Sequence, residues 1–140
     1  GDLKLTYQVD GGDLVQAGEA SSQMKMTLKK LGLPPEIIRK ASVCMYEGEI
    51  NMVIHADGGE AEVEVDMDRI VLRMTDTGPG IPDVEQAMQE GYSTAGPTAR
   101  ELGFGAGMGL PNMKRYSDEM TIETEVGKGT VVTVVIKIPQ

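Results

Sequence analysis

Three groups of residues along this chain could bind a ligand or move a proton. The first is Glu47, Asn51 and His55, which are spaced four residues apart. Steps of four residues advance about 400° around a helix, so on a helix these side chains would form one polar stripe. A carboxylate beside a carboxamide suits magnesium binding or general-base chemistry. A solvated helix face explains the same spacing equally well, so these residues alone leave both interpretations open.

The second group is the turn-rich segment 76–82, in which Asp76 is followed by Gly78, Gly80 and Ile81. An aspartate at the end of a predicted strand can accept a hydrogen bond, and the glycines let the backbone pass close to a flat ligand. Tight turns rich in Asp and Gly also occur without any ligand. This group therefore has a purely structural explanation as well.

The third group is a run of alternating glycines, from Gly103 to Gly109, that leads into a predicted helix. Without side chains in the way, successive N–H groups can point inward, and the helix N-terminus adds partial positive charge. Such a loop suits a triphosphate. The glycine pattern alone is weak evidence, and a dinucleotide-binding fold is disfavoured because its glycines belong to the first strand-to-helix turn.

Hydrophobic periodicity predicts the elements that must position these groups. Alternation predicts strands at 3–9, 61–65, 70–74, 120–126 and 130–138; steps of three and four predict helices at 13–31, 35–55, 83–89 and 110–116; and 91–109 reads as a mobile loop. Asp13 is the expected N-cap of the first helix. No repeat or linker interrupts the pattern, which predicts one domain over residues 1–140. We expect an α/β architecture, a two-layer α+β sandwich with a mixed sheet and its helices on one face.

Charge and composition exclude several kinds of partner. The formal net charge of −9 disfavours nucleic acid and anionic membrane surfaces. A bound phosphate would therefore need local backbone donors and a metal ion. Cys44, the single cysteine, rules out an intrachain disulfide and is predicted to be a buried thiol. The sequence contains neither a signal peptide nor an apolar run of 18 residues, which predicts a cytoplasmic protein without a membrane span.

The order of the three groups is more specific than any one of them. Glu-x-x-x-Asn, then Asp-x-Gly-x-Gly, then Gly-x-Gly-x-Gly-Leu resembles the N, G1 and G2 boxes of the Bergerat-fold ATPases, and Gly-Lys-Gly-Thr at 127–130 is similar to their final signature. The segment 107–119, with Gly91-Tyr92-Ser93-Thr94 before the glycine loop, resembles the stand-alone anti-sigma-factor serine/threonine kinases. A sensor histidine kinase is disfavoured, because its phosphoacceptor helix and phenylalanine box are not found.

The resemblance implies an ATP site with a distinct role for each motif. Asp76 would accept a hydrogen bond from the adenine amino group, with Thr130 assisting through water, and the 78–81 turn would lie beside the base. Asn51 would ligate Mg²⁺, and Glu47 would take the proton from a substrate hydroxyl. The triphosphate would lie in a backbone cradle formed by Gly105, Gly107, Met108, Gly109 and Leu110. No role is implied with the same force for His55 or Arg100.

Two functions remain open at this point. One is an ATP-dependent protein serine/threonine kinase acting on a small partner of the anti-sigma-antagonist type. The other is a nucleotide-gated binding switch with only slow ATPase activity, because the same glutamate could activate water. The apolar stripe of the first helix permits either a homodimer or a contact within the domain.

Overall fold

The computed structural model describes residues 3–11, 17–55, 58–81, 84, 88 and 109–139, with only the backbone of His55. Within these residues lie five strands and three helices, in the order β1 (Leu3–Asp10), α1 (Glu19–Lys30), α2 (Pro35–His55), β2 (Gly58–Val65), β3 (Arg69–Asp76), α3 (Gly109–Tyr116), β4 (Glu119–Glu125) and β5 (Gly129–Lys137). The predicted elements at 61–65, 70–74, 35–55 and 110–116 agree closely with β2, β3, α2 and α3. The predicted helix at 83–89 and most of the predicted loop at 91–109 fall outside the described residues.

The described strands form one sheet in the order β1-β2-β3-β5-β4. The two-layer α+β class is confirmed, but the predicted mixed sheet is wrong, because all four described pairings are antiparallel. The reason lies in the connections. The two helices after β1 return the chain to the end at which β1 finished, so Gly58 of β2 pairs with Asp10. β5 then inserts between β3 and β4, which run in the same direction without being neighbours.

The core lies between the helices and one face of the sheet. Alternate residues of the central strands are buried on that face, including Val63, Leu72 and Val134, each with no exposed surface. Strand register aligns these three side chains in one row across the sheet. The period-two pattern of the sequence thus marks the buried face correctly. The methionines contribute substantially to this core, in which Met24, Met45, Met52, Met74 and Met113 are buried.

Helix α1 begins later than predicted, at Glu19 rather than at Asp13. The structure does not describe residues 12–16, but Ala17 and Gly18 form a turn, and Gly18 has a positive φ of 97°. The apolar stripe of α1 is used within the chain itself, because Met24 and Leu28 are fully buried. Of the two interpretations of that stripe, the contact within the domain is therefore the one observed.

A buried carboxylate from α2 caps α1. Glu49 is 3% exposed, and its two oxygens accept hydrogen bonds of 3.1 Å from the N–H groups of Ala20 and Ser21. These N–H groups lie in the first turn of α1, where no intrahelical acceptor exists and where the helix dipole favours negative charge. Because Gly18 offers no side-chain cap, Glu49 both satisfies this end of α1 and ties it to α2.

Glu49→Gln should lower the free energy of unfolding by roughly 1.5–3 kcal/mol, because the substitution removes the charge and turns one acceptor into a donor. Urea denaturation followed by circular dichroism measures the change. The matched control is Glu60→Gln, since Glu60 accepts an exposed 2.9 Å hydrogen bond from Gln8; its expected effect is about 0.5 kcal/mol or less. Equal stability of Glu49→Gln and the wild type would contradict the capping role.

Candidate nucleotide site between helix α2 and the end of strand β3

On helix α2, the apolar residues and the residues able to bind a ligand or move a proton lie on different sides. Pro35 starts the helix in a position where its missing N–H has no cost. Ile37, Ala41 and Met45 are buried in the core. Glu47 and Asn51 are only half-buried, and both lie on the side of α2 that faces α3.

Helices α2 and α3 run antiparallel, and three pairs of residues mark their contact. We call this contact the α2–α3 seam. Its pairs are Arg39 with the Tyr116 ring (5.7 Å from the guanidinium carbon to the ring centre), Cys44 with the carbonyl of Met113 (3.5 Å), and Asn51 with Gly109. The residue number of the α2 partner rises from 39 to 51 while that of the α3 partner falls from 116 to 109, so the two helices run in opposite directions.

Gly109, at the start of α3, lies against the side chain of Asn51. A Cβ atom at Gly109 would stand 3.0 Å from Oδ1 and 3.2 Å from Nδ2 of Asn51. Both distances are tighter than ordinary van der Waals contact, so glycine allows this approach without displacing the carboxamide. The first and third sequence motifs therefore meet at this point, although 58 positions separate them.

The environment of Glu47 changes its acidity. Burial raises the pKa of its carboxyl above the ordinary glutamate value, and a hydrogen bond from the side chain of Asn112 lowers it in part. A carboxylate with a raised pKa is a stronger base near neutral pH. Burial, followed by the charge of Glu47, raises the pKa of Cys44 to about 12. Cys44 has no exposed surface, which confirms the predicted buried thiol.

Asp76 ends β3 and begins the turn of the second motif. Its Oδ1 accepts a hydrogen bond of 2.9 Å from the N–H of Gly78, and Oδ2 makes no hydrogen bond with the described residues. Strand register places Asp76 opposite Thr130 of β5 on one side and Gly59 of β2 on the other. The hydrogen bond to Gly78 thus orients the carboxylate, and none of the described residues uses the acceptor capacity of Oδ2.

The turn after Asp76 is held by strand β4 and the turn that follows it. Gly80 has a φ of 80°, and a Cβ there would clash with the backbone carbonyl of Glu125. The N–H of Ile81 donates to Oγ1 of Thr124 at 2.9 Å, and this hydroxyl lies 2.9 Å from Oγ1 of Thr130. Thr130 is 7% exposed. Thr124 thus joins the turn to the strand residue opposite Asp76.

The structure brings most of the predicted site residues into two neighbouring sets. Glu47, Asn51, Gly109 and Leu110 belong to the α2–α3 seam or its edge, while Asp76, Gly78, Gly80, Ile81 and Thr130 surround the end of β3. Gly105, Gly107, Met108 and Arg100 lie outside the described residues, as does the side chain of His55. Of the predicted glycine cradle, the described residues therefore include the carboxyl end and not the middle.

Three residues of evident importance were not singled out from sequence. The side chain of Asn112 lowers the pKa of Glu47, Thr124 links Ile81 to Thr130, and Glu49 caps α1. Asn112 lies three positions after Gly109, on the same face of α3, which is the one sequence signal available for it. Thr124 and Glu49 have none, because their partners are far away along the chain.

The described residues contain neither a helix long and apolar enough to cross a membrane nor a group of three His, Cys, Asp or Glu side chains able to hold a metal ion.

This chain is similar to known proteins both in sequence and in fold. Residues 43–140 match the family described as histidine kinase-, DNA gyrase B- and HSP90-like ATPase. The serine/threonine-protein kinase RsbT of Bacillus subtilis is 32% identical over 106 residues, which cover 73% of this chain and 74% of that protein. The anti-sigma F factor of Pasteuria penetrans is 36% identical over 99 residues, which cover 66% of this chain and 63% of the factor, slightly less than two thirds of its length.

Among solved structures, a mycobacterial sensor histidine kinase, MprB, superposes with a TM-score of 0.55, covering 97% of this chain and 98% of that one. At 14% identity, this likeness concerns the fold alone. The family match, in contrast, spans all three motifs and the closing Gly-Lys-Gly-Thr segment. This chain therefore belongs to the family of histidine kinase-, DNA gyrase B- and HSP90-like ATPases.

Proposed function

We propose that this chain is a cytoplasmic, ATP-dependent protein serine/threonine kinase whose substrate is a small regulatory protein of the anti-sigma-antagonist type. The observation that carries the proposal is the position of Glu47. Nucleotide binding in this fold requires Asn51, Asp76 and the glycine loop, whereas a half-buried carboxylate with a raised pKa, one helical turn before Asn51, adds a base. The names of RsbT, a serine/threonine-protein kinase, and of the anti-sigma F factor support the same class of activity and partner.

In this proposal each described group has one task. Oδ2 of Asp76 accepts a hydrogen bond from the adenine amino group, and Thr130 assists through water. Gly78, Gly80 and Ile81 lie beside the base. Backbone N–H groups at the start of α3, beginning at Gly109, bind phosphate oxygens at the positive end of the helix.

The proposal includes Mg²⁺, held by the Asn51 carboxamide oxygen together with the nucleotide's own phosphates. Mg²⁺ usually takes one or two protein oxygens plus substrate phosphates rather than a complete protein cage. The side chains of the described residues fit that mode, because an amide oxygen lies at the start of α3 while no acidic cluster is found among them. When bound, the ion would neutralise phosphate charge.

Phosphoryl transfer requires the protein to position the reacting groups and to provide one proton acceptor. The acceptor hydroxyl oxygen forms a bond to the γ-phosphorus while the bond from that phosphorus to the β,γ-bridging oxygen breaks. The hydroxyl proton passes to the Glu47 carboxylate, and ADP leaves. A raised pKa brings Glu47 closer to the pH at which it can both accept this proton and release it.

Asp76→Asn should weaken ATP binding about 10- to 150-fold, because the substitution puts an amide donor opposite the adenine amino group and removes a charged hydrogen bond. Isothermal titration calorimetry measures the affinity. Asp66→Asn is the matched control, since Asp66 also caps its own turn, accepting hydrogen bonds from the N–H groups of Asp68 and Arg69. An unchanged ATP affinity in Asp76→Asn would rule out the adenine contact.

Glu47→Ala should bind ATP with an affinity similar to the wild type and lose phosphotransfer by roughly 100-fold or more, because general-base catalysis contributes about 10²–10⁴-fold. The assay uses γ-³²P-labelled ATP and the protein encoded by the neighbouring gene. Label on that protein supports the kinase. Release of free phosphate alone would favour the second candidate, a nucleotide-gated binding switch with slow ATPase activity. Full kinase activity in Glu47→Ala would exclude Glu47 as the base.

A further inference from the structure

Basic side chains are concentrated at the end of the helical layer opposite the candidate nucleotide site. Residues 25–40 contain five lysine or arginine side chains and one acidic side chain, Glu36, for a formal charge of +4. Because the whole chain carries −9, the other 124 residues carry −13. One segment of an otherwise strongly acidic protein is therefore positively charged.

The ends of the three helices bring cationic side chains together. The chain passes from α1 to α2 within residues 31–34, so the end of α1 lies beside the start of α2. Helix α3 ends at Tyr116, whose ring contacts Arg39 near the start of α2. Arg39 precedes Asn51 by 12 positions on α2, which is about 18 Å along the helix axis. We call the exposed cationic side chains at this end the basic pole: Lys25, Lys29, Lys30, Arg39 and Lys114.

The stability of α1 explains only part of the basic pole. Lys29 and Lys30 lie in the last turn of α1, where positive side chains offset the helix dipole. Lys25 lies before that turn and four residues before Lys29, and like-charged pairs at this spacing destabilise a helix. Within the part of the chain that the structure describes, these three lysines form no ion pair. Their charge is therefore available to a partner.

The acidic side chains at the same end of the molecule have contacts of their own. Asp66 accepts hydrogen bonds from two backbone N–H groups of its turn, and Asp118 accepts one of 2.7 Å from the N–H of Lys137. On α2, Glu36 forms a 3.6 Å ion pair with Lys40. A carboxylate from another molecule would therefore not have to displace an internal partner of the α1 lysines.

Exposed apolar side chains accompany this charge. Met26 is 61% exposed, and on α1 it lies next to Lys25 and one helical turn before Lys29 and Lys30. Leu31, directly after α1, is 49% exposed. An apolar centre with a polar rim is typical of protein–protein interfaces, whereas the phosphate backbone of a nucleic acid is bound mainly through charge. The composition of this surface therefore favours a protein partner.

We propose that the basic pole is a docking surface for an acidic segment of a partner protein, a segment that also carries a large apolar side chain. Carboxylates of the partner pair with the α1 lysines, and its apolar side chain covers Met26. An extended polyanion is a poorer match, because it would also meet the charge of −13 on the rest of the chain. A partner docked at the basic pole leaves Glu47 and Asn51 uncovered, and its binding does not depend on phosphotransfer.

The first test titrates the full chain with a fluorescein-labelled peptide composed of glutamate, alanine and leucine. In a ¹H–¹⁵N spectrum, the backbone signals of residues 25–31 should shift. The affinity, measured by fluorescence anisotropy, should fall several-fold between about 0.05 and 0.5 M salt, because exposed charges are screened. Matched peptides with serine for leucine, or with lysine for glutamate, should bind more weakly. No binding of the first peptide, or shifts confined to other parts of the chain, overturns the proposal.

Lys25→Glu should weaken binding of this peptide roughly 2- to 10-fold, because repulsion replaces an exposed attraction. The new glutamate precedes Lys29 by four residues, a favourable pair, so α1 should stay folded. The matched control is Lys137→Glu, which makes the same change of charge on the sheet face turned away from the helices, opposite Arg69 in register. It should bind the peptide like the wild type. An equal loss in both variants overturns the proposal, since net charge alone would then explain the binding.

Met26→Ser should weaken peptide binding roughly 3- to 10-fold, because an apolar contact is lost. Met67→Ser is its control, since Met67 is 81% exposed in the β2–β3 turn, and it should leave the affinity unchanged. Full affinity in Met26→Ser overturns the apolar part of the proposal.

Other occupants of the basic pole give different results. Poly-uridylate RNA or phosphatidylserine vesicles that bind at least as tightly as the peptide, with no effect of Met26→Ser, would identify a polyanion and overturn a protein partner. Light scattering of the chain alone tests for a second copy. A dimer that Lys25→Glu dissociates would assign the surface to self-association and overturn the proposal as well. Failure of the proposed kinase activity would change none of these binding results.

Discussion

The packing of α3 against α2 is the contact on which the candidate site depends. An eight-residue helix has little stability of its own in water. Its position is set by the burial of Leu110 and Met113 and by the seam contacts with α2. The same packing sets the first turn of α3 beside Asn51. The first turn of α3, where phosphate binding is proposed, and the candidate base Glu47 therefore belong to one packed unit, so that a disturbance of the seam affects both.

The sheet supplies the second fixed part of the site. β3 lies between β2 and β5, so Asp76 has a strand partner on both sides, and Thr124 fastens the following turn to Thr130. Gly48 joins this part to the seam, because a Cβ there would overlap the sulfur of Met74 on β3 and approach Met113 on α3. Glycine at this position lets α2, α3 and the sheet close on one another between Glu47 and Glu49.

The proposed site has to attract a polyphosphate although the protein as a whole is acidic. A net charge of −9 gives no long-range attraction for a polyphosphate. In the proposed site the attraction would come from local backbone donors, the N-terminus of α3 and the Mg²⁺ that Asn51 would hold. Two carboxylates two residues apart on α2 have different environments. Glu49 is engaged by two backbone N–H groups at the start of α1, whereas Glu47 is half-buried on the side of α2 that faces α3.

The sequence by itself determined the α+β class, the family and the positions of most strands and helices, because motif order and hydrophobic period are local properties of the chain. It predicted the buried Cys44, and it named Glu47, Asn51 and Asp76, whose roles stay predictions. Tertiary structure alone decided that the sheet is antiparallel, that α1 begins at Glu19, and that Asn112, Thr124 and Glu49 matter. Strand order depends on where two helices return the chain, and each of these three contacts joins different secondary-structure elements. No local sequence pattern predicts such a contact, because the contact forms only when the elements pack against one another.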